Sequence, residues 1–117
     1  MSRDVAQTFA DIDSLDAEKF VAHLAPDVRF RFGNAEPVVG RAAVTSAVNG
    51  FFGTISGMTH HIRDVYELGD TVVAKIDVEY VRKDGKHVTL PNADILVYDG
   101  DLVRDWQIYI DVAPVYA

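Results

Sequence analysis

A chain of 117 residues without a cysteine is one ordinary domain, spanning 1–117, that must hold itself together by packing alone. The missing thiols exclude disulfides, thiolate metal sites and thiol nucleophiles. The net charge of −7, from 18 acidic and 11 basic residues, opposes binding to nucleic acid or to anionic membranes and suits solubility.

No apolar run reaches the roughly 18 residues of a membrane span. The opening stretch, Met1 to Thr8, lacks the apolar segment of a signal peptide, so a cytoplasmic protein is expected. Val5, Phe9 and Ile12 recur at helical spacing and predict a first helix. Asp13-Ser14 breaks it and can cap a second, whose stripe is Ala17, Phe20, Val21 and Leu24 and which Pro26 stops. Val28 to Phe32 alternates strictly and predicts a short strand. Gly33-Asn34 signals a turn, and Pro37 ends pairing. A third helix opens at Gly40-Arg41, buries Val44, Ala47, Val48, Phe51 and Phe52, and closes at Gly53 and Gly57.

Beyond Met58 the helical period vanishes. Four strands are expected over 59–68, 71–82, 87–98 and 102–112, joined at Gly69-Asp70, Asp84-Gly85 and Asp99-Gly100, all of hairpin type. The order is that of an α+β domain with an antiparallel meander.

The last three strands sort their side chains into unlike faces. Val72, Ala74, Ile76, Val78 and Tyr80, with Ala93, Ile95 and Val97, and with Leu102, Trp106, Ile108 and Ile110, make one apolar face. Lys75, Asp77, Asn92, Asp94, Asp105, Gln107 and Tyr109 make a polar one. Ideal two-residue hairpins would align Asp64, Lys75, Asp94 and Asp105 in a row. Hydrogen-bond alternation forbids that ideal form, so a bulge or a three-residue loop must intervene for each inner strand. The polar face is either the floor of a pocket or plain solvent surface. The apolar face, including Ile76, Ile95, Trp106 and Ile108, is expected to meet a second subunit in a homodimer, because a monomer rarely exposes so broad a patch. The competing reading packs the helices there and leaves the charged face outside.

Several stretches carry a family resemblance: Phe32-Gly33-Asn34 through Gly40-Arg41, Met58-Thr59-His60-His61, Asp84-Gly85 with Leu90-Pro91, and above all Trp106 through Tyr109 and Asp111 to Pro114 and Tyr116. They resemble the nuclear transport factor 2-like superfamily, within it the SnoaL-like polyketide cyclase and ketosteroid isomerase group. The resemblance covers nearly the whole chain. It implies a cone-shaped, curved, mostly antiparallel sheet of about five or six strands wrapped around about three N-terminal helices. It also implies a small-molecule pocket, a dimer built on the sheet, and acid–base chemistry that needs no cofactor. Asp94 falls where ketosteroid isomerases hold a protonated oxyanion-hole aspartate. Their general-base position falls near Phe30-Arg31-Phe32, which has no carboxylate, and their helix-one tyrosine falls on Thr8 or Phe9. Lys75-Ile76-Asp77 stands where limonene-epoxide hydrolase has an Arg-x-Asp pair. Phe32-Gly33-Asn34 resembles that enzyme's Tyr-x-Asn water clamp, and its third member falls on Gln107.

The candidate catalytic residues are therefore Asp94 as acid or oxyanion donor, Asp77 or a pocket histidine as base and Lys75 as the group that tunes both. Candidate ligand-binding residues are Phe32, Asn34, His60, Asn92, Gln107 and Tyr109. His60 and His61 point to opposite faces of their strand, so they cannot share a metal, and no other metal-ligand spacing occurs. The expected ligand is a small, apolar, partly oxygenated molecule. The reaction class is isomerisation, cyclisation, dehydration or hydrolysis, and the alternative is a non-catalytic ligand-binding or dimerisation module.

Overall fold

The computed structural model describes residues 4–117; Met1 to Arg3, part of the opening stretch read above, lie outside the described residues. Helix α1 (Val5–Asp13) starts on the Asp4 side chain, which accepts the Gln7 N–H, and buries Val5, Phe9 and Ile12 as their spacing predicts. Helix α2 (Ala17–Val21) starts on Asp16, which accepts from Glu18 N–H. It is shorter than the sequence suggests. Leu24, expected on its stripe, instead opens strand β1 (Leu24–Phe32) and pairs with Val103. Pro26 sits where β1 and its neighbour lose register, between Leu24 and Arg29, which suits a residue with no N–H to donate. Strand β2 (Val38–Val39) follows, then helix α3 (Arg41–Phe52), which buries Val44, Val48 and Phe52.

Strands β3 (Ile55–Leu68), β4 (Thr71–Arg82), β5 (His87–Asp99) and β6 (Leu102–Tyr109) form the meander, and a short helix α4 (Ala113–Tyr116) that periodicity did not signal ends the chain. The six strands make one curved, open sheet in the order β2-β1-β6-β5-β4-β3. Among the described residues only the β1–β6 pair is parallel. This is the α+β, cone-shaped architecture that the resemblance implied. No helix among the described residues is long and apolar enough to cross a membrane.

Loop length decides the faces. The β3–β4 turn is the expected two-residue Gly69-Asp70, with Leu68 opposite Thr71 and Asp64 opposite Lys75. The β4–β5 loop holds three residues, Lys83 to Gly85. Arg82 N–H donates to Lys86 O at 2.8 Å, and Gly85 N–H donates back to Arg82 O at 2.9 Å. Gly85 closes the loop at φ +84°, where a Cβ would be strained. That one extra residue shifts β5 by one position. Lys75 lies opposite Ala93, and Asp94 opposite Ala74. A second shift at Val97/Tyr98 places Asp94 opposite Ile108 and Leu96 opposite Trp106.

Directly opposed residues share a face, so β5 is inverted relative to the expected sorting. Asn92, Asp94, Leu96 and Tyr98 join Ala74, Ile76, Tyr80, Trp106 and Ile108 on the inner face. Ala93, Ile95 and Val97 join Lys75, Asp77, Asp105, Gln107 and Tyr109 outside. The inner face is covered by the chain's own helices, as the competing reading had it: Ile76, Trp106 and Ile108 are buried in the core with Phe9, Phe20 and Val44. Ile95 lies on the opposite face. The four residues named for a subunit contact therefore do not form one surface.

Candidate functional site

A cavity of about 220 Å³ opens between the inner sheet face and the helices. Phe20 from α2, Phe30 and Phe32 from β1, Phe51 and Phe52 from α3 and Met58 from β3 give it an apolar wall. The Phe32 and Phe51 rings lie 5.0 Å apart, and Phe51 meets Tyr80 edge-on at 5.9 Å. Polar groups enter from three adjacent strands: His60 from β3, Tyr80 from β4, and Asn92 and Asp94 from β5.

Asp94 is wholly buried. Its Oδ2 accepts the Trp106 Nε1–H and its Oδ1 accepts the Asn92 Nδ2–H, both at 2.9 Å. Burial pushes its carboxyl up from 3.8 to about 6. The Trp106 hydrogen bond, the nearby His60 ring and the Asn92 hydrogen bond hold it down against that pressure. An indole N–H can only donate, so this bond favours the ionised carboxylate while burial favours the neutral acid. With a value near 6, Asp94 can both take and release a proton close to neutrality. Asn92 has its Oδ1 buried, with no hydrogen-bond partner among the described residues. A buried acceptor without a donor costs about 1–3 kcal/mol, which a ligand O–H or N–H would relieve. The Tyr80 hydroxyl is pushed up, chiefly by burial and also by Asp94, and stays protonated as a donor.

His60 is brought in by a second irregularity. The β3–β4 register shifts between Ile62 and Asp64, so His60 faces inward opposite Val78 while His61 faces outward to Glu79 at 3.1 Å. Asp13, at the last residue of α1, accepts the His60 backbone N–H at 2.9 Å through Oδ2 and meets the ring Nδ1 at 2.5 Å through Oδ1. An acid at a helix C-terminus opposes the helix dipole, so its partner on β3 explains its place. Read from the sequence, Asp13 is only a helix breaker. No local signal connects it to a histidine 47 residues away.

The cavity thus gathers Asp94, Asn92, His60 and Phe32 from the sequence-derived candidates. The others lie elsewhere. Lys75 and Asp77 are on the outer face because of the β4–β5 register. Asp77 is bound by the Arg63 guanidinium at 2.7 Å, and neither residue lines the cavity. Asn34, Gln107 and Tyr109 meet at a shallow groove with Arg31 and Asp111. There Gln107 Nε2 donates to Gly33 O at 3.3 Å and Ile108 O at 3.2 Å, and Tyr109 is 57% exposed.

Three solved structures share the fold. A protein with a ketosteroid isomerase-like fold from Catenulispora acidiphila, in complex with trimethylamine, superposes at TM-score 0.87 and 16% identity, covering 98% of this chain and 91% of the other. A nuclear transport factor 2-like protein of unknown function from Burkholderia pseudomallei gives 0.84 at 18% identity, over 94% and 89%. An M. tuberculosis LEH-like epoxide hydrolase gives 0.79 at 15% identity, over 96% and 83%. No curated protein matches the chain. The model of the SnoaL-like domain matches residues 5–106, from the first residue of α1 to the tryptophan that binds Asp94. The chain belongs to the SnoaL-like domain family.

Proposed function

We propose that this protein binds a small, apolar, partly oxygenated molecule in its cavity and carries out cofactor-free proton-transfer chemistry on it. Isomerisation, cyclisation, dehydration and hydrolysis all fall in that class. The observation that carries the reading is Asp94: a fully buried carboxyl, raised to about 6, held by two donors at the wall of an aromatic cavity. Perturbed carboxyls in apolar clefts are the usual proton carriers of such chemistry. The cavity would hold about seven waters at their liquid volume of roughly 30 Å³ each, which suits a one- or two-ring ligand. Asn92 Oδ1 favours ligands that carry a hydrogen-bond donor.

Carboxyl-carbon NMR tests the central point. The Asp94 signal is expected to titrate near 6, and a midpoint in the ordinary carboxylate range near 3.9 removes the reading. Binding of small cyclic ketones and phenols without turnover would favour the ligand-binding module instead.

A homodimer belongs to the same reading, now through the outer face that carries Val73, Ile95, Val97 and Tyr109. Sedimentation at low micromolar concentration is expected to give a dimer, and a clean monomer sinks that part.

A further inference from the structure

A base needs an acid, and Asp94 has no lysine or arginine beside it among the residues that line the cavity. The ionisable groups that face the cavity are Asp94 from β5, the Tyr80 hydroxyl from β4 and His60 from β3, with Asp13 of α1 behind the histidine. Tyr80 keeps its proton. His60 is therefore the remaining side chain of the cavity whose chemistry allows it both to take and to give a proton.

The surroundings of His60 fix its orientation. One carboxylate grips it twice, at the ring Nδ1 and at the backbone N–H. The Phe9 ring lies against it at 4.9 Å with a 34° tilt, and the side chain is only 7% exposed. A carboxylate oxygen accepts, so Nδ1 carries the hydrogen there and the neutral ring keeps its lone pair on Nε2. That nitrogen is the one Asp13 does not occupy. The His60 ring also lies close enough to Asp94 for its charge to act on that carboxyl.

We propose that His60 is the second proton-transfer residue of the cavity and that Asp13 is the residue that positions it. The inference rests on the reading of Asp94 given above. With Asp94 protonated, the cavity presents one donor, the Asp94 hydroxyl, and one acceptor, His60 Nε2. With the proton on Asp94, His60 Nε2 takes a proton from a carbon beside a ligand carbonyl while Asp94 gives its own to the carbonyl oxygen. The C–H bond breaks, an O–H bond forms, and an enol results beside an Asp94 carboxylate and a His60 imidazolium. The imidazolium then returns its proton to carbon, and Asp94 recovers the enol proton. The protons balance, and no oxidant or reductant is needed. The Asp13 carboxylate balances the charge on the imidazolium and keeps its Nε2–H on the cavity.

The test uses ring ¹⁵N NMR of the full chain, with cyclohexanone in D₂O as the probe. The wild-type spectrum is expected to show the Nδ1–H tautomer of His60, and Asp13→Asn is expected to mix the two tautomers. Exchange of the cyclohexanone α-protons is expected to exceed the buffer rate, and His60→Gln is expected to cut it about 100-fold. Asp13→Asn should lower exchange less and change its pH profile. If Asp13→Asn does not fold, the wild-type tautomer and the His60→Gln rate still decide the matter. A wild-type Nε2–H tautomer, exchange unchanged in His60→Gln, or cyclohexanone bound without exchange each overturns the inference. In the first two cases an Asp94 that titrates near 6 leaves the proposed function standing, whereas cyclohexanone bound without exchange favours the ligand-binding module. An Asp94 in the ordinary carboxylate range takes both down.

Discussion

Asp94→Asn is expected to stabilise the protein above pH 6 while removing the proposed proton-transfer activity. In the unfolded chain this carboxyl ionises near 3.8, and in the fold near 6. Between those values the native state binds more protons than the unfolded state, so stability falls as pH rises through the interval and levels off above it. Two pKa units correspond to about 3 kcal/mol, which the ionised carboxylate costs the fold at pH 8. An asparagine never ionises. Its Oδ1 still accepts the Trp106 N–H, and a turn of the Asn92 amide lets the new Nδ2–H meet the unpartnered Asn92 Oδ1. A net gain of about 2 kcal/mol is expected at pH 8, allowing for imperfect geometry, with roughly 5–10 °C in Tm. At pH 4 the gain should nearly vanish. Thermal melts at the two pH values check this, and an equal effect at both would deny that Asp94 is the buried charge. A more stable but inactive variant is the usual signature of a residue kept for chemistry rather than for folding.

Trp106→Ala is expected to be the most damaging core substitution, at about 3–5 kcal/mol. The indole is fully buried and has Phe9 edge-on at 5.9 Å, Phe20 at 5.2 Å and Phe30 at 6.2 Å. Removing it opens a cavity among three aromatic rings and takes from Asp94 a donor that favours its ionised form. Trp106→Phe separates the two losses, because the packing largely stays and only the N–H goes. The lost charge-assisted hydrogen bond is worth about 2 kcal/mol while Asp94 is ionised. The cost should therefore be larger at pH 8 than at pH 5, and the Asp94 midpoint should move further above 6. Urea denaturation at both pH values measures this. The same cost at both would show that the hydrogen bond carries little weight.

Much of the fold was legible because it depends on local pattern. The stripe of Val5, Phe9 and Ile12 could only be one face of a helix. Gly69-Asp70 could only be a tight turn, and β4 keeps its predicted bounds within a residue. The site was legible in part. Asp94, Asn92, His60 and Phe32 were named from resemblance and alternation, and they converge on one cavity. Lys75 and Asp77 were placed with Asn92 and Asp94 because alternation put all four on one polar face, the sorting that a two-residue loop at Asp84-Gly85 would give. The loop has three, and a one-residue change moves every side chain of β5 to the other face. Asp13 was invisible as a partner, because its bond to His60 joins a helix end to a distant strand.

The sequence by itself determined most of the helices and strands, that β4 and β6 each turn an apolar side to one face, and that Asp94 stands at a position worth testing. Periodicity and turn chemistry act over a few residues, and that is the range at which a chain can be read directly. The tertiary structure alone decided which way β5 faces, that the helices rather than a second subunit cover the inner face, and that Asp13 grips His60. Those outcomes hang on the length of one loop and on shifts in strand register. Their energies come from burying Asp94 under Trp106 and Asn92, contacts that exist only once the sheet has curved around the helices.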